Sequence, residues 1–315
     1  ILAPRIDLFE DFLHPNAEGA QLIAAQVHQA LVPIKKPLAI AESLGSHMVL
    51  QRGVINKLTG TASAGANIEL LFKDKIYRTT AARDGSWLFN LAAMPAGGPY
   101  TLTFSTADKS EVQRINNVLF GDVFLASGQS NMAFTLGDAL GAEALIAKAA
   151  AVPNLRLFKN KVLVETTNSS WDSLTLAKDN SLAYFQGQWE LPNSSNCAAF
   201  SAIALTAAYQ IAVKENIPVG IIELAVGGSN TESWIPRHAL EADNLLASYI
   251  HNWRSADFIQ DFCRERANKN LAESKNKNQR HPYAPAYNYE AGISKWVNTE
   301  LKAVLLYQGE SNAHN

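Results

Sequence analysis

Cysteine is almost absent from this chain: Cys197 and Cys263 are the only two among 315 residues. Two are too few for a disulfide framework or a four-cysteine zinc site, and their separation does not say whether they pair. The seven histidines (His14, His28, His47, His238, His251, His281 and His314) fall into no H-E-x-x-H or Cys/His ligand spacing, so neither a metal nor a cofactor is expected. Surplus charge is missing too. Twenty-seven basic against 29 acidic residues leave a net charge of −2, which gives no general attraction for phosphate backbones or anionic lipid, so nucleic acid is not an expected partner. No apolar run approaches the roughly 18 residues of a membrane span. Residues 1–34 lack the basic start, apolar centre and small-residue cleavage pattern of a signal peptide.

What is present is a chain with 47% apolar residues, enough for a sizeable core and long enough for about two domains. From 38 to 117 short alternating stretches such as Asn67 to Phe72 and Tyr100 to Phe104 are broken by Gly, Asp and Pro, which predicts a small all-β sandwich. Asp84-Gly85 ahead of Ser86 to Phe89 reads as a hairpin turn. Beyond 118 strands alternate with helices, the pattern of a parallel sheet covered on both faces. Helices are predicted at about Ala198 to Lys214 and Leu140 to Ala151, an insertion loop at Thr166 to Asn193, and a solvated loop for the basic run Arg264 to Arg280.

Three polar clusters follow apolar runs. Gly128-Gln129-Ser130-Asn131-Met132 comes after Val123 to Ala126, Gly227 to Trp234 after Val219 to Val226, and Gln308 to Asn312 after Ala303 to Tyr307. Each falls at the C-terminal end of a predicted strand, where open α/β sheets place their ligand crevice. A serine set there, opening a helix, can serve as a nucleophile if a base takes its proton and donors receive the oxyanion. Paired-carboxylate glycosidase chemistry would have to use Glu232 and Glu310, the only acids near these strand ends.

These motifs resemble the sialate O-acetylesterase branch of the SGNH (GDSL-like) hydrolases, which carries G-Q-S-N-M, G-G-(S/T)-x-x-E-(S/A)-W and Y-Q-G-E-S-N in this order. Upstream, His47 to Gly53 and Ala96 to Tyr100 look like the β domain that precedes the catalytic domain in that family, so the resemblance runs from Leu38 onward. It implies a three-layer αβα (flavodoxin-like) esterase domain over 118–315, incomplete at its C-terminus, after a β-sandwich over 38–117. It also implies Ser130 as nucleophile, with the backbone N–H groups of Ser130 and Gly228 and the side-chain amide of Asn312 as the oxyanion hole. Gln129, Gln308 and Glu310 would support them.

Near the start, Asp11 and His14 precede Pro15-Asn16, where Asn16 can cap a helix whose apolar residues Ala20, Ile23, Ala24, Val27 and Leu31 predict a packed face. This block looks like the closing segment of a GDSL-type domain. Two expectations follow. Either residues 1–34 are the tail of an upstream SGNH domain joined by the linker Pro33 to Pro37, with this domain's own Asp-His pair beyond Asn315, or the fold is permuted and His14, oriented by Asp11, is the base for Ser130. The implied reaction is removal of O-acetyl groups from sialic acid or related glycans, with water as second substrate and a secreted or periplasmic location. Acetylxylan or another plant glycan is an alternative substrate, and a non-catalytic glycan-binding module an alternative role.

Overall fold

A computed structural model of the chain describes residues 14–31, 35–250, 252–257 and 259–313. It divides into two compact units, one of Ile1–Ala41, Leu58–Phe89 and Leu102–Arg114, the other of Glu42–Lys57, Asn90–Thr101 and Ile115–Asn315. The His47 to Gly53 and Ala96 to Tyr100 stretches, assigned above to the β domain, group with the second unit.

In the first unit Asn16 caps the helix Ala17–Leu31, its Oδ1 accepting the Gly19 N–H at 2.9 Å. The packed face predicted for this helix is not found: Leu22, Ile23 and Val27 are exposed. The strand Asn67–Phe72 alternates as expected, burying Ile68, Leu70 and Phe72. It pairs antiparallel with Lys75–Thr80 across a tight turn in which Lys73 and Asp74 both take positive φ (48° and 61°). Asp84-Gly85 also forms a turn, with Asp84 Oδ1 accepting the Ser86 N–H at 2.9 Å, but it closes no hairpin. It carries the chain from the sheet of Lys75–Thr80 to a second sheet holding Ala39–Ile40, Asn56–Thr61 and Ser86–Leu91. Trp87 fills the core of this unit, with Phe89 and Phe104 at ring separations of 5.7 and 5.4 Å.

The second unit is built on the long central strand Val112–Gly128. Asp122 to Gly128 pair in parallel with Val219–Ala225, and Phe124 to Gly128 pair in parallel with Ala303–Tyr307. Leu155–Lys159 adds a further parallel strand beside Val219–Ala225, and the short Trp189–Glu190 an antiparallel edge. All seven residues of Val219–Ala225 are buried, the mark of a strand covered on both faces, with Glu223 as its one charged member, paired to Lys159 at 3.0 Å. On one face the helix Ala202–Glu215 lays Ala204, Leu205, Ala208 and Ala212 against Phe124, Ala126, Leu157 and Ile221. The alternate residue Phe158 points the other way and meets Trp296 edge-on at 4.6 Å. This is the expected α/β architecture. At Ala303–Tyr307 the side chains of Val304, Leu306 and Tyr307 are exposed.

Element boundaries differ from expectation for local reasons. The Ala202 helix starts four residues later than predicted because Ser201 caps it, its Oγ accepting the Ala204 N–H at 3.3 Å, while Ala198 ends the separate short helix Ser194–Ala198. The alanine-rich helix is trimmed to Glu143–Ala150. Thr166 to Asn193 contains a helix, Ser173–Asn180, capped by Asp172, and two short strands. The basic run expected as a loop is partly helical, Asp261–Asn270. No described helix is long and apolar enough to cross a membrane.

Candidate active site

The three motifs meet because their strands end in register: Ala225 and Tyr307 both stand opposite Gly128. Gly128 has φ +149°, and a Cβ built there would lie 1.9 Å from the Tyr307 carbonyl oxygen, so a side chain cannot be accommodated. The chain then turns. Gln129 is buried and donates its N–H to Tyr307 O at 3.2 Å, leaving Ser130 exposed at the start of the helix Ser130–Ala133. That helix is a single turn, because Phe134 leaves it in an extended conformation and accepts the Ala202 N–H at 2.8 Å. Any pull on an anion therefore comes from first-turn N–H groups rather than from an extended dipole.

Gly228, in the second motif, has φ +76°, and a Cβ there would lie 2.3 Å from Tyr283 Oη. The preceding carbonyl, Gly227 O, lies 2.8 Å from Tyr283 Oη and accepts from Thr166 Oγ1 at 3.0 Å, which pins the loop. Ser130 and Gly228 line one cavity of about 600 Å³. Among the described residues the Ser130 hydroxyl and the N–H groups of Ser130 and Gly228 make no hydrogen bond within the chain, so both backbone donors are open to a ligand.

The third motif locks onto the other two. Gln129 Oε1 accepts from Ser311 N at 3.2 Å and Ser311 Oγ at 2.8 Å, and Asn131 Nδ2 donates to Glu310 Oε1. Gln308 Nε2 donates to Ser229 O at 2.9 Å. The Asn312 amide nitrogen lies 2.8 and 3.1 Å from the Glu232 carboxylate oxygens, and its Oδ1 accepts the Thr231 N–H at 2.8 Å. Ser311 rather than Asn312 lines the cavity from this motif. Asp11 and His314 lie outside the described residues, and His14 is an exposed residue of the first unit.

Several cavity residues lie outside the three motifs. Arg266 and Phe262 come from the Asp261–Asn270 helix, and Glu165 to Asn168 from the segment entering the supposed insertion. That segment is held by Asn270, whose Nδ2 donates to Thr167 O at 2.6 Å and Ser169 O at 2.7 Å. Asn270 Oδ1 in turn faces His281 Nε2 at 3.1 Å. His281 Nδ1 accepts the Tyr283 N–H, which puts the ring proton on Nε2. Stacked on Trp171 at 5.1 Å and fully buried, His281 has its pKa pushed down to about 3, first by desolvation and then by Arg254, so it stays neutral. It supports the cavity wall and takes no proton there.

Cys197 and Cys263 are both buried free thiols, which answers the pairing question left open by their spacing. Burial pushes the Cys197 thiol up to about 11 and raises that of Cys263, so neither is poised as a thiolate. Among the described residues no group of three or more His, Cys, Asp or Glu is placed to hold a metal ion.

Residues 120–259, the stretch carrying Ser130 and Gly228, match the family of carbohydrate esterases described as sialic acid-specific acetylesterase. The similarity to sialate O-acetylesterases extends beyond this stretch. Sialate O-acetylesterase of Rattus norvegicus is 27% identical over 302 residues, 87% of this chain and 52% of the relative. The Homo sapiens protein of that name is 24% identical over 287 residues, 86% of this chain and 48% of the relative. A crystal structure of a carbohydrate acetylesterase from Xanthomonas citri superposes with a TM-score of 0.64 at 26% identity, covering 88% of this chain and 52% of that one. The chain spans about half the length of the curated relatives it matches.

Proposed function

We propose that the protein is a carbohydrate O-acetylesterase, a serine-type carboxylic ester hydrolase acting on O-acetylated sialic acid or a related glycan. The observation that carries this reading is the shared register at Gly128, which gathers the three motif loops around an exposed Ser130 beside the open N–H of Gly228. Ser130 Oγ attacks the acetyl carbonyl carbon, and its proton passes to a carboxylate-oriented imidazole. The oxyanion is received by the Ser130 and Gly228 N–H groups, with the Asn312 amide turning from Glu232 as third donor. Collapse expels the sugar hydroxyl, and water then releases acetate from the acyl-enzyme.

His14, oriented by Asp11, is the base if these residues serve Ser130; if they close an upstream domain, the base is another imidazole of the full-length protein. Residues 118–315 carry the esterase chemistry in this reading, the 38–117 region is a β module beside it, and the site of action is extracytoplasmic. Gln129, Gln308 and Glu310 act as positioning residues through the bonds described above. Hydrolysis of an acetylated chromogenic ester by the full-length protein, beside its Ser130→Ala form, tests the reading. Activity should vanish in the variant; undiminished hydrolysis would remove Ser130 from the mechanism, provided any upstream hydrolase domain is first silenced.

A further inference from the structure

Tyr283 stands behind the second motif rather than in the cavity. It is fully buried and does not line the cavity, yet its Oη reaches Gly227 O at 2.8 Å. Thr166 Oγ1 donates to the same carbonyl at 3.0 Å and lies 2.8 Å from Tyr283 Oη. The two hydroxyls bring two protons to three oxygens, and the carbonyl brings none. Every arrangement that uses both protons therefore ends on Gly227 O, directly or through the other hydroxyl.

That carbonyl and the Gly228 N–H belong to one peptide plane. In a trans peptide the two point in opposite directions, so holding the oxygen fixes where the N–H is aimed. Gly228 lines the cavity with Ser130, and its N–H has no partner among the described residues. The following carbonyl is held as well, Gly228 O accepting from Cys263 Sγ at 3.4 Å, so the peptide planes on both sides of this positive-φ glycine are tied down. The phenol is itself anchored. Its own N–H donates to His281 Nδ1 at 3.0 Å, and its ring meets His281 edge-on at 4.7 Å. On its far side Arg266 Nη1 donates to Oη at 3.4 Å. Hydrogen bonds in series polarise one another, so a run from guanidinium to phenol to carbonyl makes the Gly228 N–H at its end a stronger donor. Burial pushes the Tyr283 pKa up, which keeps the proton on the phenol.

We propose that Tyr283 is a positioning residue for the anion site beside Ser130: with Thr166 it holds the Gly227 carbonyl so that the Gly228 N–H is aimed into the cavity and polarised, without touching substrate. This rests on the esterase reading above, in which that N–H receives the oxyanion.

Tyr283→Phe removes one oxygen and keeps the ring. With an acetylated chromogenic ester the full-length variant should lose roughly tenfold in kcat at unchanged KM, the mark of an interaction made in the transition state. Adding Thr166→Val leaves Gly227 O without a hydroxyl and should bring the loss to about a hundredfold or more, the scale of a missing oxyanion donor. An unchanged kcat in Tyr283→Phe overturns the proposal, as does a loss that falls wholly on KM. A second readout needs no turnover. In protein labelled with glycine carrying carbonyl 13C and 15N, a coupled carbonyl–amide signal arises only where glycine follows glycine, which among these 315 residues is at Gly98 and Gly228. Gly227→Ala, where a Cβ meets nothing within 4 Å, identifies the second signal by removing it. That signal should move in Tyr283→Phe while the Gly98 signal stays, and a signal that does not move overturns the proposal. If the unsubstituted protein hydrolyses the ester no faster than Ser130→Ala, the esterase reading fails instead, and the glycine signal alone then decides whether Tyr283 holds this peptide.

Discussion

At the scale of single residues, the site depends on glycines that cannot be replaced and on side chains that hold one another. Gly228→Ala imposes both a left-handed backbone on a residue with a Cβ and a collision with Tyr283 Oη. It should lower the thermal midpoint and, if the Gly228 N–H receives the oxyanion as proposed, reduce kcat by about a hundredfold or more. An unchanged kcat would take Gly228 out of the site. Asn312→Ala should also cost about a hundredfold in kcat if its amide reaches the oxyanion. Glu232→Ala, which frees that amide from its carboxylate partner, separates the roles. A fall in kcat with KM unchanged marks Glu232 as a positioning residue, whereas activity that survives both substitutions removes the pair from the mechanism. The motif residues were legible in the sequence because small and polar residues after an apolar run are conspicuous. Arg266 was not, because it lies among other charges and only its helix tells which way it faces.

At the scale of elements, apolar continuity made the strands easy to read and polarity hid the helix beside the cavity. Val219–Ala225 is uniformly buried and its sequence is almost uniformly apolar. Asp261–Asn270, by contrast, buries Cys263, Ala267 and Asn270, a face at helical spacing whose last member is polar and whose exposed faces are charged. Asn270 is buried because its amide holds the Thr167 to Ser169 backbone, a tertiary bond that no local pattern announces. Asn270→Ala strands those two carbonyls and should cost roughly 1–3 kcal/mol. Amide hydrogen exchange should show protection lost first in 166–169, with a rise in KM because this segment lines the cavity. Uniform loss of protection across the second unit would make Asn270 a general core residue instead. The turn residues mislead in a similar way: Lys73 and Asp74 close a hairpin that was not expected, whereas Asp84-Gly85, expected to close one, does not. A turn's chemistry tells where the chain reverses, while pairing of the flanking strands is decided by what their apolar faces meet.

At the scale of the whole molecule, two buried titratable groups tilt stability in opposite directions with pH. Asp179 is fully buried, with Oδ1 unpartnered, and desolvation pushes its pKa up to about 7, against the bonds from Tyr287 and Gln279 and the charge of Arg280. The folded state keeps a proton that the unfolded chain, titrating near 3.8, gives up, so this stabilisation is present below that pH and lost as pH rises through about 7. His281 runs the other way: its contribution is present above 6.5 and is lost as pH falls toward about 3. Asp179→Asn removes only the first slope. Its thermal midpoint relative to the unsubstituted protein should climb between pH 4 and pH 8 by roughly 3 °C or more, and a difference independent of pH would mean that Asp179 is charged in the fold. The α/β class of this second unit was legible from the alternation of strands and helices. Its share of the segments before residue 118 was not, because Glu42–Lys57 and Asn90–Thr101 carry β-type patterns that say nothing of which unit they join.

The most direct measurement is to trap the covalent intermediate. The full-length protein is exposed to an acetyl ester or a reactive phosphonate, quenched in acid and digested, and the modified peptide is mapped by mass spectrometry. The adduct should fall on Ser130, within the peptide that carries Gln129 and Asn131, and should be absent from the Ser130→Ala form. Turnover of the ester with the label on another side chain, and Ser130 unmodified, would contradict a hydrolytic site at the meeting point of these three strand ends.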